Sequence, residues 1–422
     1  MKVTVINHSD SRGGASVVSM RLVRALREAG VDARMIVARP DGALPPYVTT
    51  AASPAATKGA FLLEEGLTWL DNGMSRKNLF ALDAARAGLP LEKHPWVRDA
   101  DVVCLNWVNQ GMLSLRGVER IAAAGKPLVW TMHDMWNATG LCHHAGECTR
   151  YREECGCCPL MQCRRHADDL SHRRYLRKKL CYGRAGITFV AVSSWLADRC
   201  RESGLMQGQR VEVLPNAFPV DEFGLEPLHS RAELGLPDDG RHIVVMGAAR
   251  LDDPVKGLPL AVDTLNRLAD AGYGQKVVAV FFGAMRDARA LDGLRLPHVQ
   301  MGAVADASRL RSLYAHARVV LSTSLYETLP GTLIEGQAAG AYPVSFGQGG
   351  QRDIIDSPRT GYIAGYLDTA DMAAGIARAI DGEPCREELR ASVAARFAAP
   401  AVAARYIELF EGLCLALKKV DS

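Results

Sequence analysis

Short apolar runs alternate with amphipathic stretches along most of this chain. The first run is residues 3–7, a glycine-containing loop follows at 9–16, and residues 17–30 carry apolar side chains at helical spacing up to a closing glycine. Later apolar runs cover residues 31–40, 101–107, 127–134 and 187–194. Strands that are apolar throughout and alternate with helices are typical of a parallel sheet covered on both faces. The first half of the chain is therefore predicted to be an α/β domain.

A second series of the same kind begins after residues 211–223, where two prolines suit a connection between domains. Its predicted strands are 241–250, 276–284, 298–304, 318–324 and 341–350, and its clearest predicted helices are 258–272 and 369–381. We therefore expect two doubly wound, Rossmann-like domains, residues 1–217 and 218–399, with the final helix at 400–418 packing back on the first. Two such domains that face each other form a cleft at the carboxyl ends of their strands, where ligands bind.

Composition and charge exclude several classes of protein. Hydrophobic residues make up 48% of the chain and charged residues 23%, which is ordinary for a folded protein and argues against extensive disorder. The formal net charge of +3 is nearly balanced, so we expect no nucleic-acid partner. The N-terminus turns polar too early for a signal peptide, and no apolar run approaches the roughly 20 residues that span a bilayer. We expect a cytoplasmic location.

Two cations follow the first strand of the second series. Arg250 comes directly after that strand, and Lys256 precedes a glycine and a predicted helix. Cations at the carboxyl edge of a sheet and beside a helix N-terminus form an anion site that suits phosphate. The alternative is that both are solvated loop charges, which is the common fate of a single Arg or Lys.

Two glutamates flank another predicted helix start, in the stretch YETLPGTLIE at 326–335. Glu327 precedes the helix, and Glu335 lies about one turn inside it, where a carboxylate can accept two sugar hydroxyls. The backbone N–H groups at this start can bind a diphosphate, and a proline suits a first helical turn. The segment expected to contact this ligand is Leu329, Pro330, Gly331 and Thr332. The alternative makes Glu327 a partner of the helix dipole and Glu335 a surface residue.

These residues carry a family resemblance. Together with VLPNAF at 213–218 and PVSFGQGGQRDII at 343–355, they resemble the donor half of the family-4 retaining glycosyltransferases, which have the GT-B fold of two Rossmann-like domains facing across a cleft. PLVWTMHDMW at 127–136 and the glycine loop at 13–14 resemble the acceptor half. The residues of the glutamate segment and the cysteine-rich stretch are similar to those in a colanic-acid-type branch of this family. That branch builds bacterial exopolysaccharides and O-antigens.

The resemblance implies a role for each donor-side residue. Arg250 and Lys256 would neutralise the leaving diphosphate of a UDP- or GDP-sugar, and Glu335 would hold the ribose hydroxyls. Glu327 would contact the transferred sugar, and Val304 lies where the backbone meets the base. Because the chain itself supplies the cations, no metal is expected in catalysis.

On the acceptor side, the resemblance implies that His133 approaches the transferred sugar and that Gly14 lets backbone come close to phosphate or acceptor. The expected product is a hexosyl or related sugar joined with retention to a saccharide or a lipid-diphosphate-linked acceptor. Other GT-B enzymes, such as a nucleotide-sugar epimerase or a phosphorylase, are the nearest alternatives. DAD at 99–101 matches a metal-binding Asp-x-Asp motif of another glycosyltransferase fold, but it precedes a strand, so we interpret it as loop aspartates.

The cysteine-rich stretch, residues 141–163, is predicted to be an insertion in the first domain. Four of its six thiols fall at spacings similar to those of the exopolysaccharide branch, and these are Cys142, Cys148, Cys155 and Cys158. The spacing is not that of a standard zinc finger, but four such thiols can supply the soft ligands of a tetrahedral structural zinc site. Reduced, loosely packed thiols are the alternative, and a disulfide is disfavoured in the cytosol. A module that zinc stabilises and that recruits partners through residues 141–184 is a rival from another functional class.

Residues 164–184, which follow the cysteine-rich stretch, are strongly basic. Such runs are usually solvated helix faces. The functional interpretation is attraction to an anionic membrane surface, at the inner face of the cell membrane, or to a lipid-diphosphate acceptor.

Overall fold

The computed structural model describes residues 1–163 and 166–420 and divides the chain into two compact units. The first unit comprises Met1–Ala217 together with the chain from Val402, and the second comprises Phe218–Ala401. The basic segment predicted from the sequence begins with Arg164 and Arg165, which lie outside the described residues.

The described part of the first unit contains a seven-stranded parallel sheet in the order β3-β2-β1-β4-β5-β6-β7. Its strands are β1 Lys2–Ser9, β2 Asp32–Arg39, β3 Val48–Thr50, β4 Val102–Leu105, β5 Leu128–Met132, β6 Thr188–Ala191 and β7 Arg210–Val213. The α-helices that precede β7 in the sequence are α1 Gly14–Glu28, α2 Pro54–Asp71, α3 Pro95–Asp99, α4 Leu115–Ala122, α5 Leu170–Ala185 and α6 Ser194–Glu202.

The second unit contains, in its described residues, a six-stranded parallel sheet in the order β10-β9-β8-β11-β12-β13. Its strands are β8 His242–Arg250, β9 Val277–Ala284, β10 His298–Gln300, β11 Ala317–Ser322, β12 Tyr342–Phe346 and β13 Tyr362–Ala364. Its helices are α7 Leu258–Leu268, α8 Ala307–His316, α9 Gly331–Ala338, α10 Gln351–Ile354, α11 Thr369–Asp381 and α12 Arg386–Phe397. The predicted pair of parallel-sheet α/β domains is confirmed.

Strand order reverses once in each sheet, between β1 and β4 in the first and between β8 and β11 in the second. At such a switch point the loops leave the carboxyl edge in opposite directions and open a crevice between them. The apolar strands explain why the sheets lie in the core, because β4, β5, β6 and β12 are buried along their whole length. Polar side chains at the carboxyl ends of these buried strands are therefore candidates for ligand binding.

Helix α9 approaches β11 closely because of a glycine. A Cβ built on Gly336 would lie 2.7 Å from the Val320 side chain, so a larger residue there would push the helix off the strand. Helix α9 begins at Gly331, after the loop that leaves the carboxyl end of β11.

The last helix is α13 Ala399–Val420, and from Val402 onward it belongs to the first unit. Tyr406 and Phe410 are fully buried on it, and the Tyr406 hydroxyl lies 3.3 Å from the Thr131 hydroxyl of β5. Among the described residues, no helix combines the length and the apolar character that crossing a bilayer requires.

One strand is absent from the sequence-based assignment. Arg210–Val213, just before the connection predicted near residues 215–223, forms β7, which pairs in parallel with β6. This edge strand is short and partly exposed, so its sequence lacks the continuous apolar run that marks the central strands. The connection begins only after it, where Pro215 ends the strand pattern.

Candidate functional site

Arg250 is the last residue of β8, and two aspartates of the loop that follows hold its side chain in a fixed orientation. Its Nε lies 3.3 Å from Asp252 Oδ1, and its terminal nitrogen lies 3.2 Å from Asp253 Oδ2. Asp253 also accepts a hydrogen bond from the Val255 N–H, at 3.1 Å, and so caps the turn that carries Lys256. One short loop thus connects the two predicted cations at the carboxyl edge of the second sheet. Arg250 is about one third exposed, so its charge remains accessible to a ligand.

Lys256 and Glu327 form an ion pair across the switch point of this sheet. The Lys256 ammonium contacts Oε1 of Glu327, and the Ser324 hydroxyl donates to the same oxygen at 2.9 Å. The backbone of Glu327 is held as well, since its N–H donates to Gln348 O at 3.3 Å and its carbonyl accepts from Gly350 N–H at 2.9 Å. Two residues that the sequence analysis assigned to different parts of a ligand are therefore in direct contact.

The start of α9 is free of side-chain caps. Pro330 is the N-cap residue, one position before the predicted first turn, and Gly331 is the first helical residue. No side chain accepts a hydrogen bond from the first N–H groups, those of Gly331 and Thr332, so they remain donors for an anion. Leu329 is half-buried just before this start.

Glu335 is half-buried on α9, four residues after the helix start. It lies close enough to Tyr314 to raise the pKa of that hydroxyl, although burial is the larger cause. Val304 is half-buried in the loop between β10 and α8. The roles that the resemblance implies for Glu335 and Val304 stay predictions.

A second polar cluster occupies the carboxyl edge of the first sheet. His133 follows β5, and its Nε2 lies 2.9 Å from Oδ1 of Asn106, which follows β4. Burial lowers the pKa of His133 to about 4, so the imidazole is neutral near pH 7. A carbonyl oxygen can only accept, so Nε2 carries the proton and Nδ1 is left as an acceptor.

Asp134 connects the next residues of this cluster. It accepts hydrogen bonds from Trp107 Nε1 at 3.2 Å and from the Trp136 N–H at 2.8 Å, and it lies 2.8 Å from His143 Nδ1. Burial alone would raise the pKa of the Asp134 carboxyl, but its partners, chiefly His143, lower it to about 2. Asp134 in turn raises the pKa of His143 against the opposing effect of burial. The pair is therefore stabilised in its charged form.

Sequence reasoning missed Trp107, Asp134 and His143. The available signal was that Trp107 and Asp134 are the last residues of predicted strands, whereas His143 lies in the cysteine-rich stretch, where the thiols gave the clearer signal. His8, at the end of β1, is also part of this edge, with its ring 5.5 Å from that of Trp107 in a T-shaped contact. In the glycine loop, Gly13 has a φ of 87°, which favours glycine, whereas Gly14 opens α1 and a Cβ there would meet nothing within 4 Å.

The aspartates of the DAD motif lie at the other end of the first sheet. Asp99 pairs with Lys2 and Arg34, at 2.9 and 3.1 Å, and Asp101 accepts a hydrogen bond from the Lys2 N–H at 2.7 Å. These contacts tie the starts of three neighbouring strands together. Across residues 1–163 and 166–420, no group of three or more His, Cys, Asp or Glu side chains stands arranged to hold a metal ion.

Comparison with known proteins matches both units to glycosyltransferase families. Residues 12–222, half of the chain, match the family described as Glycosyltransferase Family 4, and residues 240–382 match Glycosyl transferases group 1. A curated relative, the 2-deoxystreptamine glucosyltransferase of Streptomyces kanamyceticus, is 27% identical over 189 residues. That match covers 43% of this chain and 48% of the relative, so it spans about half of the relative's length.

Solved structures share the fold over nearly the whole chain. Anabaena Alr3699/HepE, determined with UDP and glucose, is 15% identical with a TM-score of 0.60, and 97% of this chain and 99% of that chain are covered. Sucrose-phosphate synthase from Thermosynechococcus elongatus is 18% identical with a TM-score of 0.64, over 98% of this chain and 99% of that one. At these identities the likeness shows the fold, and that fold is GT-B.

Proposed function

The chain belongs to Glycosyltransferase Family 4, and from that membership we propose that it transfers a hexosyl or related sugar from a nucleotide-sugar donor to a saccharide or lipid-linked acceptor, with retention of configuration. The observation that carries the proposal is the cationic loop of Arg250 and Lys256 beside the uncapped start of α9, at the switch point of the second sheet. Cations and backbone N–H donors directed at one place suit a diphosphate.

Donor binding follows from this arrangement. The diphosphate would lie on the N–H groups of Gly331 and Thr332, with Arg250 and Lys256 neutralising its charge. Glu335, one turn further along α9, would accept the two ribose hydroxyls, and the loop at Val304 would meet the base. The Anabaena protein of the same fold has been solved with UDP and with UDP-glucose, which supports a uridine nucleotide as the first candidate.

The chemical step would depend on electrostatic stabilisation more than on a strong base. As the bond to the sugar breaks, negative charge grows on the leaving phosphate, and the nearby cations stabilise that charge. Lys256 is oriented for this by Glu327, which Ser324 holds in turn. In retaining transfer the acceptor attacks the face from which the diphosphate leaves, and the leaving phosphate helps to take the acceptor proton. No metal is needed for these steps.

The first unit would supply the acceptor-side contacts. His133 is a neutral imidazole whose Nε2–H is donated to Asn106, so its Nδ1 would accept a hydrogen bond from a sugar hydroxyl. The Asp134–His143 pair behind it would hold the loop that carries His133 in place.

The acceptor would be a growing bacterial glycan, such as an exopolysaccharide or O-antigen precursor on a lipid diphosphate. Helix α5 supports a peripheral contact with an anionic membrane, because it exposes Leu176 and Leu180 between basic residues. The curated relative acts, by its name, on 2-deoxystreptamine, so an aminocyclitol belongs among the acceptors to be tested.

Nucleotide binding and product analysis test the proposal together. Thermal unfolding of the full chain is measured with UDP, GDP and ADP, and a ligand at 100 times its dissociation constant should stabilise the protein by about 2.7 kcal/mol. Arg250→Ala should abolish the shift, whereas Arg295→Ala, which removes an exposed arginine of the same unit, should keep it. Donor sugars of the stabilising nucleotide are then offered with the acceptor panel, and NMR gives the anomeric configuration of the product. Inversion, or conversion of the donor without any acceptor, would overturn the proposal.

A further inference from the structure

Four thiols of the cysteine-rich stretch line one small cavity in the first unit. The cavity has a volume of about 20 Å³, which is room for one water-sized sphere, and Tyr151 and Leu160 complete part of its wall. The four are Cys142, Cys148, Cys155 and Cys158, which are the four whose spacing resembles that of the exopolysaccharide branch. Cys142 and Cys148 precede the short helical turn Arg150–Arg152, and Cys155 and Cys158 follow it, so the chain folds back to bring the two pairs together.

A backbone N–H group points at one of these sulfurs, because Gly140 N–H donates to Cys155 Sγ at 3.2 Å. Burial raises the pKa of the Cys158 thiol, and the backbone N–H groups of Leu160 and Met161 partly oppose that rise. Such N–H donors stabilise a sulfur that carries negative charge, as a metal-bound thiolate does.

A buried lysine lies beside the same sulfurs. Lys178 is fully buried on α5, and its amine donates to Trp136 O at 2.6 Å and to Thr139 O at 3.0 Å and lies 3.2 Å from the centroid of the Trp136 ring. These contacts hold in place the backbone that leads into Cys142.

We propose that Cys142, Cys148, Cys155 and Cys158 bind one zinc ion in a tetrahedral all-thiolate site. The proposal is independent of the proposed transfer reaction, because no step of that reaction passes through this site. As the side chains stand, the sulfurs are free thiols and are not yet at mutual coordination positions. Coordination requires the four sulfurs to come closer to one another than they stand here, in a segment that contains no helix of the sheet.

The zinc would hold the cysteine-rich stretch against the core and would position the acceptor-side cluster. The backbone carbonyl of Cys142 accepts a hydrogen bond from the Thr139 hydroxyl at 2.6 Å, and the next residue, His143, is the partner of Asp134. A ligand at Cys142 therefore fixes the residue that orients Asp134. Loss of the metal is expected to loosen this contact while it leaves the second unit folded.

Metal content of the full chain tests the proposal. Protein is expressed with added zinc and purified without chelator. Elemental analysis by plasma mass spectrometry should then find about one zinc per chain. Cys142→Ser and Cys155→Ser should each lower this content several-fold. Cys157→Ser and Cys163→Ser are matched controls, since both lie in the same stretch outside the cavity wall, and they should keep the zinc.

Cobalt substitution tests the same site in the wild-type protein, so it does not depend on whether a cysteine variant folds. Wild-type protein refilled with Co²⁺ should show the strong charge-transfer and d–d absorption of tetrahedral thiolate coordination, and zinc should displace it. No zinc in the wild type together with no such spectrum overturns the proposal in favour of reduced thiols. Fewer than eleven titratable thiols after denaturation without reductant overturns it in favour of a disulfide.

Discussion

Lys256 and Glu327, which are 71 positions apart in the sequence, form a largely buried ion pair at the point where strand order reverses in the second sheet. Each charge therefore determines where the other can lie. The pair couples the loop after β8 to the loop after β11, which are the two loops between which we place the diphosphate.

The coupling can be measured with a double-mutant cycle. Lys256→Ala and Glu327→Gln should each lower kcat/KM by roughly 10- to 150-fold, since hydrogen bonds to charged groups contribute about 1.5–3 kcal/mol. The double variant should be little worse than the more damaging single change, because each substitution already disables the same unit. Steady-state kinetics on the four proteins gives the coupling energy. The exposed Arg295–Asp270 pair is the control, and its loss should leave kcat/KM unchanged. Strictly additive losses at Lys256 and Glu327 would show that the two act separately.

The two glutamates are expected to differ in the kinetic parameter that they affect. Ribose contacts are the same before and during the reaction, so Glu335→Ala should mainly raise the KM for the donor. Glu327 acts where charge changes, so Glu327→Ala should mainly lower kcat. Initial rates over a range of donor concentration separate the two, with circular dichroism as the folding check. Glu226→Ala, at an exposed position of the same unit, is the matched control. Unchanged parameters in both variants would place the donor site elsewhere.

Transfer should continue after Mg²⁺ and Mn²⁺ are removed. The leaving diphosphate is neutralised by side chains of the chain, so a divalent cation is not required in that role. The rate is measured in EDTA and again after Mg²⁺ or Mn²⁺ is restored. Because EDTA also competes for zinc, circular dichroism and zinc content are followed in parallel. An absolute requirement for Mn²⁺ with zinc still in place would contradict the assignment and would redirect attention to Asp99 and Asp101.

Acid should destabilise the first unit through His8. This side chain is 7% exposed, and burial together with the nearby charge of Arg39 lowers its pKa from 6.5 to about 4. In the unfolded chain His8 becomes protonated as the pH falls below 6.5, whereas in the folded chain it becomes protonated only near pH 4. The free energy of unfolding therefore decreases as the pH falls from 6.5 to about 4. Between pH 7 and pH 5 the loss from this one group is about 2 kcal/mol.

Urea unfolding followed by tryptophan fluorescence checks the effect of acid. All 6 tryptophans lie in the first unit, so the signal reports on that unit alone. In His8→Gln the fall in stability from pH 7 to pH 5 should be smaller by about 2 kcal/mol, whereas His166→Gln, at an exposed site, should behave like the wild type. Equal pH dependence in all three proteins would mean that His8 is not held neutral by its surroundings. Burial lowers the pKa of His133 as well, so some loss of stability in acid remains in the wild type and in both variants.

The sequence predicts central strands well and edge strands poorly. Strands such as β5 and β9 are buried on both faces and read as continuous apolar runs, whereas β7 and β13 are short and partly exposed and give no such signal. Positions along the carboxyl edges follow from strand ends, which is why Arg250, Lys256 and His133 could be placed in advance. Side-chain partners could not, because the contact of Glu327 with Lys256 depends on the register between β8 and β11.

The course of the chain through the two units has a consequence for how the protein is made. The second unit is one uninterrupted stretch, whereas the first needs Tyr406 and Phe410, which are synthesised after that stretch. At translation rates of about 5–20 residues per second, the roughly 180 residues of the second unit delay these two side chains by on the order of 10 to 40 s. During that time the nascent first unit has an apolar gap beside Thr131 and Cys104, where Tyr406 will later pack. The first unit is thus completed only after the second has been synthesised, so its core stays open to solvent during this interval.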